Sequence, residues 1–167
     1  MLNLNKDKSS VLLCLRTQTP NNLGLAVPIV KETKVLGVTI NDNLTWNTHV
    51  SKMISKCNQQ FFVMRKLKRF ILPSELQVIY EGCIRSCLDY ACPSFVALPK
   101  TLEDRVERVQ RRAFRIINAD TSHSDSEPLR PSCSIKERRE ILSQKLFSKV
   151  DSMPSHILHK YIPKKLK

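Results

Sequence analysis

The chain has 167 residues and a mass of 19.2 kDa, the size of one ordinary domain or slightly more. Lys and Arg number 28 against 15 Asp and Glu, a formal net charge of +13, while 41% of the residues are hydrophobic. That is enough apolar material for a modest core and too much for a fully disordered chain. Only three glycines argue against a many-turned barrel or sandwich and against a glycine-rich phosphate loop.

Apolar runs such as Val11 to Leu15 fall far short of the roughly 20 residues of a membrane span. Met1 to Ser10 lacks a signal peptide's basic end and long apolar centre. The six cysteines, at 14, 57, 83, 87, 92 and 133, read as reduced thiols in an intracellular setting, cytoplasmic or nuclear. The charge is uneven. It is net +2 over residues 1–44, +5 over 45–100, zero over 101–130 and +6 over 131–167. Such a surface attracts polyanions, so nucleic acid leads the partner classes, with no membrane and no small-molecule substrate.

The first segment reads as extended. Ser10 to Leu15 and Val35 to Ile40 are branched and apolar. Gly37 inside the second run suggests a bulge or a close backbone approach, and Asn41-Asp42-Asn43 ends it. From Trp46 to Ile71 the apolar positions step by three and four, the mark of one long helix with Thr45 as its N-cap. Pro73 closes that helix and opens a second, whose stripe is Leu76, Ile79, Tyr80, Cys83, Ile84, Cys87 and Leu88. A third helix follows Thr101, with Asp104 in a capping-box position, an apolar face from Leu102 to Ile117, and Arg105, Arg108, Arg111, Arg112 and Arg115 outside. Residues 118–134 are polar and proline-broken, a linker. Ser134 and Glu137 form an S-x-x-E box that opens a fourth helix ahead of a basic tail. The expected fold class is α+β: a short N-terminal β element followed by a mainly α-helical, thumb-like bundle. Its strand edges, without further partners, are expected to be sticky and poorly ordered.

Catalytic chemistry is thinly supplied. A two-metal phosphoryl-transfer site needs clustered carboxylates, and the sequence has no D-D or D-x-D pair. Glu103 and Asp104 suit the first turn of a helix, where acids complement its dipole. Cys83, Cys87 and Cys92 lack the paired spacing of a zinc site and read as core. His156 and His159 read as surface features, and His49 as a helix-start residue packed on Trp46. The arginines of 105–115 fit a solvated face paired with nearby acids. The run Arg65-Lys66-Leu67-Lys68-Arg69 is the better phosphate-binding candidate, because no acid lies between Ile54 and Ser74.

Several motifs occur in a telling order. Lys34 to Ile40 (KVLGVTI), with Leu44, Trp46 and His49, is similar to the K-x-L-G-V-x-I … L-x-W-x-x-H stretch of reverse transcriptases from non-LTR (LINE-like) retrotransposons. Arg65 to Arg69 resembles that family's L-R-x-L-K-R. Tyr80 to Pro93 resembles Y-x-x-x-I-R-x-x-L-x-Y-A-x-P, and Glu107 to Ile117 resembles E-x-x-Q-R-R-A-x-R-I-I. Ser134 to Glu140 resembles L-x-x-R-R-E, and Leu4 to Lys8 resembles the palm lysine motif L-N-x-x-K. The stretch from LGVTI to RKLKR also resembles a short segment attached to oxygenases of the AlkB type, whose H-x-D iron motif does not occur here.

The retroelement resemblance implies that residues 1–44 are the end of a polymerase palm, 45–117 a thumb, 118–134 a linker and 135–167 a C-terminal helix with a basic tail. It implies that Lys8 approaches nucleotide phosphates and that Gly37 sits in the hairpin near the primer end. The Y/F-x-D-D box and its carboxylates, which hold Mg in the parent family, would lie upstream of Leu4. The expectation is therefore a truncated RNA-directed DNA polymerase fragment with no catalysis and no cofactor of its own. It would bind RNA or an RNA–DNA duplex without sequence preference through Lys8, Lys52, Lys56, Arg65, Lys66, Lys68 and Arg69, helped by the basic residues from 136 on. The alternatives are a helical protein-interaction module, an inert domain, or a polymerase subunit completed by another chain that supplies the acids.

Overall fold

The computed structural model describes residues 9–14, 27–119 and 127–162. Strands precede helices, and the fold class is α+β. Two compact units divide between Ser55 and Lys56, so the division falls inside the first long helix and not at residue 44, where the change of sequence period suggests it.

In the first unit, β1 (Val11–Leu12) pairs in parallel with β2 (Ile29–Val30). β3 (Glu32–Val35) and β4 (Val38–Asn41) form an antiparallel hairpin, with Glu32 opposite Asn41 and Val35 opposite Val38. The Val35 to Ile40 run is thus two strand ends and a turn, not one bulged strand. Leu36 and Gly37 both take positive φ, 46° and 87°. That pair of values marks the two-residue turn whose twist matches a hairpin.

α1 (Asn47–Leu67) starts at Trp46, whose carbonyl accepts the first helical bond from the Val50 N–H at 2.9 Å. Thr45 serves the preceding turn instead of the helix. Its hydroxyl accepts from Asn41 Nδ2 at 2.8 Å, and its N–H donates to Asn41 Oδ1 at 2.8 Å. Val50, Met53, Cys57, Phe61 and Met64 are buried, as the three-and-four stepping requires. The helix closes at Leu67, one turn early, where the N–H groups of Phe70 and Ile71 both donate to the Leu67 carbonyl. Pro73 forces Leu72 into extended backbone (φ −70°, ψ 155°).

The second unit is helical. α2 (Pro73–Ile79) runs through a π-helical segment (Tyr80–Arg85) into α3 (Ser86–Asp89). Its buried side is Leu76, Tyr80, Ile84 and Leu88. At 3.6 residues per turn a strict spacing of four drifts by about 40° per step, and the wider π turn takes that drift back. The same turn moves Cys83 out to solvent and leaves Cys87 only half-buried, unlike the even stripe read from the sequence. Ala91, at φ 54°, ends α3 in a left-handed step, and a 3₁₀ turn (Cys92–Phe95) follows.

α4 (Lys100–Ile117) begins one residue before Thr101, with Pro99 as its N-cap and no side-chain cap, so the Thr101–Asp104 box does not form. α5 (Ile135–Ser152) does open on a capping box: Glu137 N–H donates to Ser134 Oγ at 3.1 Å and Ser134 N–H to Glu137 Oε2 at 2.9 Å. α5 packs on α3 and α4 within this unit. Arg139, only 2% exposed, donates to Glu103 Oε1 at 3.2 Å, and Arg138 pairs with Asp89 at 3.2 Å. The end of the predicted linker is also fastened. Asn118 Nδ2 donates to the Leu129 carbonyl at 2.8 Å, and the Leu129 N–H donates back to Asn118 Oδ1 at 3.0 Å. Gln110 Nε2 holds the Cys133 carbonyl at 3.0 Å.

Candidate nucleic-acid interface

A groove of about 1260 Å³ in the second unit is built from the end of α1, the C-terminal half of α4 and the segment from Leu129 to Pro131. Each wall has a local cause. On α1, Phe61 and Met64 turn inward, which leaves Arg65 on the flank. Lys68 and Arg69 follow in the closing turn, where positive charge complements the helix C-terminus. On α4, burial of Val106, Val109, Ala113 and Ile117 puts Arg111, Arg112 and Arg115 at the surface. Gln110, Phe114 and Ile116 complete the lining from α4, and Arg130 reaches it from the pinned segment.

The lining therefore carries seven cationic side chains, Arg65, Lys68, Arg69, Arg111, Arg112, Arg115 and Arg130, and no carboxylate among the described residues. The α1 and α4 walls are tied together at one point. The Arg112 guanidinium lies 4.9 Å from the centroid of the Phe61 ring, and its Nη1 donates to Asn58 Oδ1 at 3.0 Å. Among the described residues no ion pair uses Arg65, Arg69, Arg111 or Arg115.

Two of the three acids of the 101–115 stretch, Glu103 and Glu107, are engaged elsewhere. Glu103 pairs with Arg139 at 3.2 Å and Lys136 at 3.5 Å, and Glu107 accepts the Lys136 N–H at 2.9 Å. α4 is thus polar lengthwise: Glu103 and Glu107 meet α5 from the first half, and Arg111, Arg112 and Arg115 stand on the second. The zero net charge of residues 101–130 concealed this division. The same pairs occupy Lys136, Arg138 and Arg139, which the sequence offered as part of a phosphate-gripping tail. Residues 163–167 lie outside the described residues.

Of the residues picked from sequence, Arg65, Lys68 and Arg69 line the groove. Lys66 lies over the Phe62 ring instead, 5.2 Å from its centroid. Lys52 pairs with Glu32 at 2.8 Å. Lys56 is exposed and is absent from the lining. Lys8 lies outside the described residues. Sequence reasoning passed over Arg111, Arg112, Arg115 and Arg130. The available signal was position: the first three follow the last acid of α4, Glu107.

Other candidates resolve as structure. His49, 6% exposed, accepts the Thr39 N–H at its Nδ1 (3.3 Å) and meets Trp46 edge-on at 6.1 Å. Among the described residues no three His, Cys, Asp or Glu side chains gather to hold a metal. A pairing that the sequence did not suggest is Cys57 with Cys87. The Cys57 thiol donates to the Cys87 sulfur; with Lys56 nearby, this holds the Cys87 thiol down at about 6 against burial, and pushes Cys57 up. Burial pushes the Tyr80 phenol up to about 12, against the opposing pull of Arg85. No helix among the described residues is long and apolar enough to cross a membrane.

No family model matches the chain, and neither a curated protein nor a solved structure shows significant similarity to it.

Proposed function

We propose that this chain binds nucleic acid by its phosphate backbone, without reading sequence and without catalysis of its own. The reading rests on the groove between α1 and α4, where seven cationic side chains from three chain segments converge with no carboxylate among the described lining residues. Each cation that meets a phosphate releases condensed counterions, which makes the affinity salt-dependent and nearly indifferent to sequence. Desolvation is light in so open a groove, so long-range attraction and steering dominate. The ordered motifs from Lys34 to Glu140 support a more specific origin, the thumb portion of a non-LTR retrotransposon reverse transcriptase, the part that would clasp template and primer.

The test is a binding titration across salt. Replacing Arg65, Arg69, Arg111 and Arg115 together by Gln is expected to flatten the slope of log K against log salt by about 3, since each phosphate contact contributes roughly 0.7–0.9. Replacing Lys52 and Lys56, which do not line the groove, should change it much less. Equal slopes for the two variants would reject the groove. A protein-interaction module is the second reading, favoured by Ile141, Leu146 and Phe147, which stand exposed along α5. It predicts no salt-dependent nucleic-acid binding in the same titration.

A further inference from the structure

Two phenylalanines bracket the groove's α1 cations in sequence, outside the lining itself and exposed: Phe62 is 62% exposed and Phe70 82%. On α1, Phe62 precedes Arg65 by three residues, so the two share one flank of the helix. Phe70 directly follows Arg69 and is fixed in the turn that closes α1, its N–H donating to the Leu67 carbonyl at 2.8 Å. Single exposed apolar side chains need no explanation. Two exposed aromatic rings bracketing the cationic run from Arg65 to Arg69 are a different pattern.

We propose that Phe62 and Phe70 are stacking platforms for unpaired bases, and that the ligand of the groove is single-stranded nucleic acid. The inference rests on the phosphate-binding reading above and names its substrate class. A single strand offers both things this surface matches, a line of phosphates for the arginines and free base faces for the rings. A duplex offers the phosphates alone, because its bases are already stacked on one another. Lys66 over the Phe62 ring adds positive charge beside that platform without removing the ring from solvent.

The experiment compares a labelled oligothymidylate, an oligouridylate and a duplex of equal length, titrated into the full chain. The probes are read against the wild type, the Phe62→Leu/Phe70→Leu variant and Phe70→Trp. The single strands are expected to bind the wild type more tightly than the duplex does. The double variant should lose about tenfold or more on the single strands and almost nothing on the duplex, with its salt slope unchanged because no cation is removed. Phe70→Trp should keep single-strand affinity and show quenching of the new indole. The two single strands together show whether the sugar matters; tight binding of either satisfies the proposal. Equal loss on single strand and duplex, or no loss on either, overturns base stacking while the salt-dependent groove stands. Absence of salt-dependent binding to every probe overturns the groove itself and this inference with it. Both rings are exposed, so the Leu variants leave the core intact, and an unchanged circular dichroism melt verifies it.

Discussion

The Arg112 guanidinium lies 4.9 Å from the centroid of the buried Phe61 ring, and through that contact two helices distant in sequence share one basic surface. Phe61 thus serves two environments: its 0% exposure places it in the core, and one face of its ring is closed off by a charge. An arginine so placed satisfies part of its donor set on Asn58 and spends less of its charge on solvent than Arg111 or Arg115 beside it. Exposed cation–π contacts are worth about 0.5–1 kcal/mol. Arg112→Ala is therefore expected to lower stability by about 1 kcal/mol, and Arg115→Ala to leave it nearly unchanged. A double-mutant cycle of Arg112→Ala with Phe61→Leu, followed by urea melts, measures the coupling. Strict additivity would show that the contact contributes nothing.

Glu103 is the electrostatic centre of the α4–α5 contact. It faces Arg139, which is buried with its Nε and Nη1 unpartnered among the described residues. Removing one member of a buried pair strands the other charge, which costs about 3–5 kcal/mol, while replacing both by apolar groups of similar size is much milder. Glu103→Ala should destabilise the second unit by about 3 kcal/mol. The double change Glu103→Leu/Arg139→Met should recover most of that loss in thermal or urea unfolding. If the double variant unfolds as readily as Glu103→Ala, the pair is not the source of the effect.

The Cys57–Cys87 contact sets a pH signature. Thiolate, not thiol, is alkylated, so iodoacetamide should label Cys87 with a half-point near pH 6, and Cys57→Ala should move that half-point upward by removing the donor. Linkage fixes the sign for stability. The folded Cys87 thiol lies below its ordinary value of 9.0, so its contribution is complete above pH 9 and is lost as pH falls from 9 toward 6. Cys57 is shifted the opposite way, so its contribution is lost as pH rises above 9. Unfolding free energy should thus climb from pH 6 to 9 and then stop climbing. Melts at those two pH values, wild type against Cys87→Ala, check it; identical pH profiles would refute the assignment.

The hairpin turn can be improved. Leu36, 86% exposed, holds a φ of 46° that a leucine adopts reluctantly. Leu36→Asn creates the Asn-Gly pair favoured in such turns and should stabilise the first unit by about 0.5–1 kcal/mol. A rise in hydrogen-exchange protection of the Thr33–Ile40 pairing would report it.

Local chemistry by itself determined much of this molecule. The three-and-four stepping of α1, the proline stop before α2 and the Ser134–Glu137 box are each written within a few residues, because helix periodicity and capping are short-range effects. The acid-free RKLKR run also pointed to one wall of the groove. The sequence reading went astray where geometry departs from a local ideal. The π turn rotated Cys83 outward, positive φ at Leu36 and Gly37 turned one apparent strand into two, and Pro99 displaced Thr101 as the start of α4. Only the tertiary structure decided which charges meet. A net charge is a sum without direction, and the zero total of residues 101–130 gave no sign that Glu103 and Glu107 would face α5 while Arg111, Arg112 and Arg115 joined Arg65 and Arg69. Helix packing made that choice, by burying one face of α4 and so fixing the azimuth of every charge around it. The Cys57–Cys87 pairing, thirty residues apart in the chain, came from the same long-range burial of apolar surface, which no local pattern encodes.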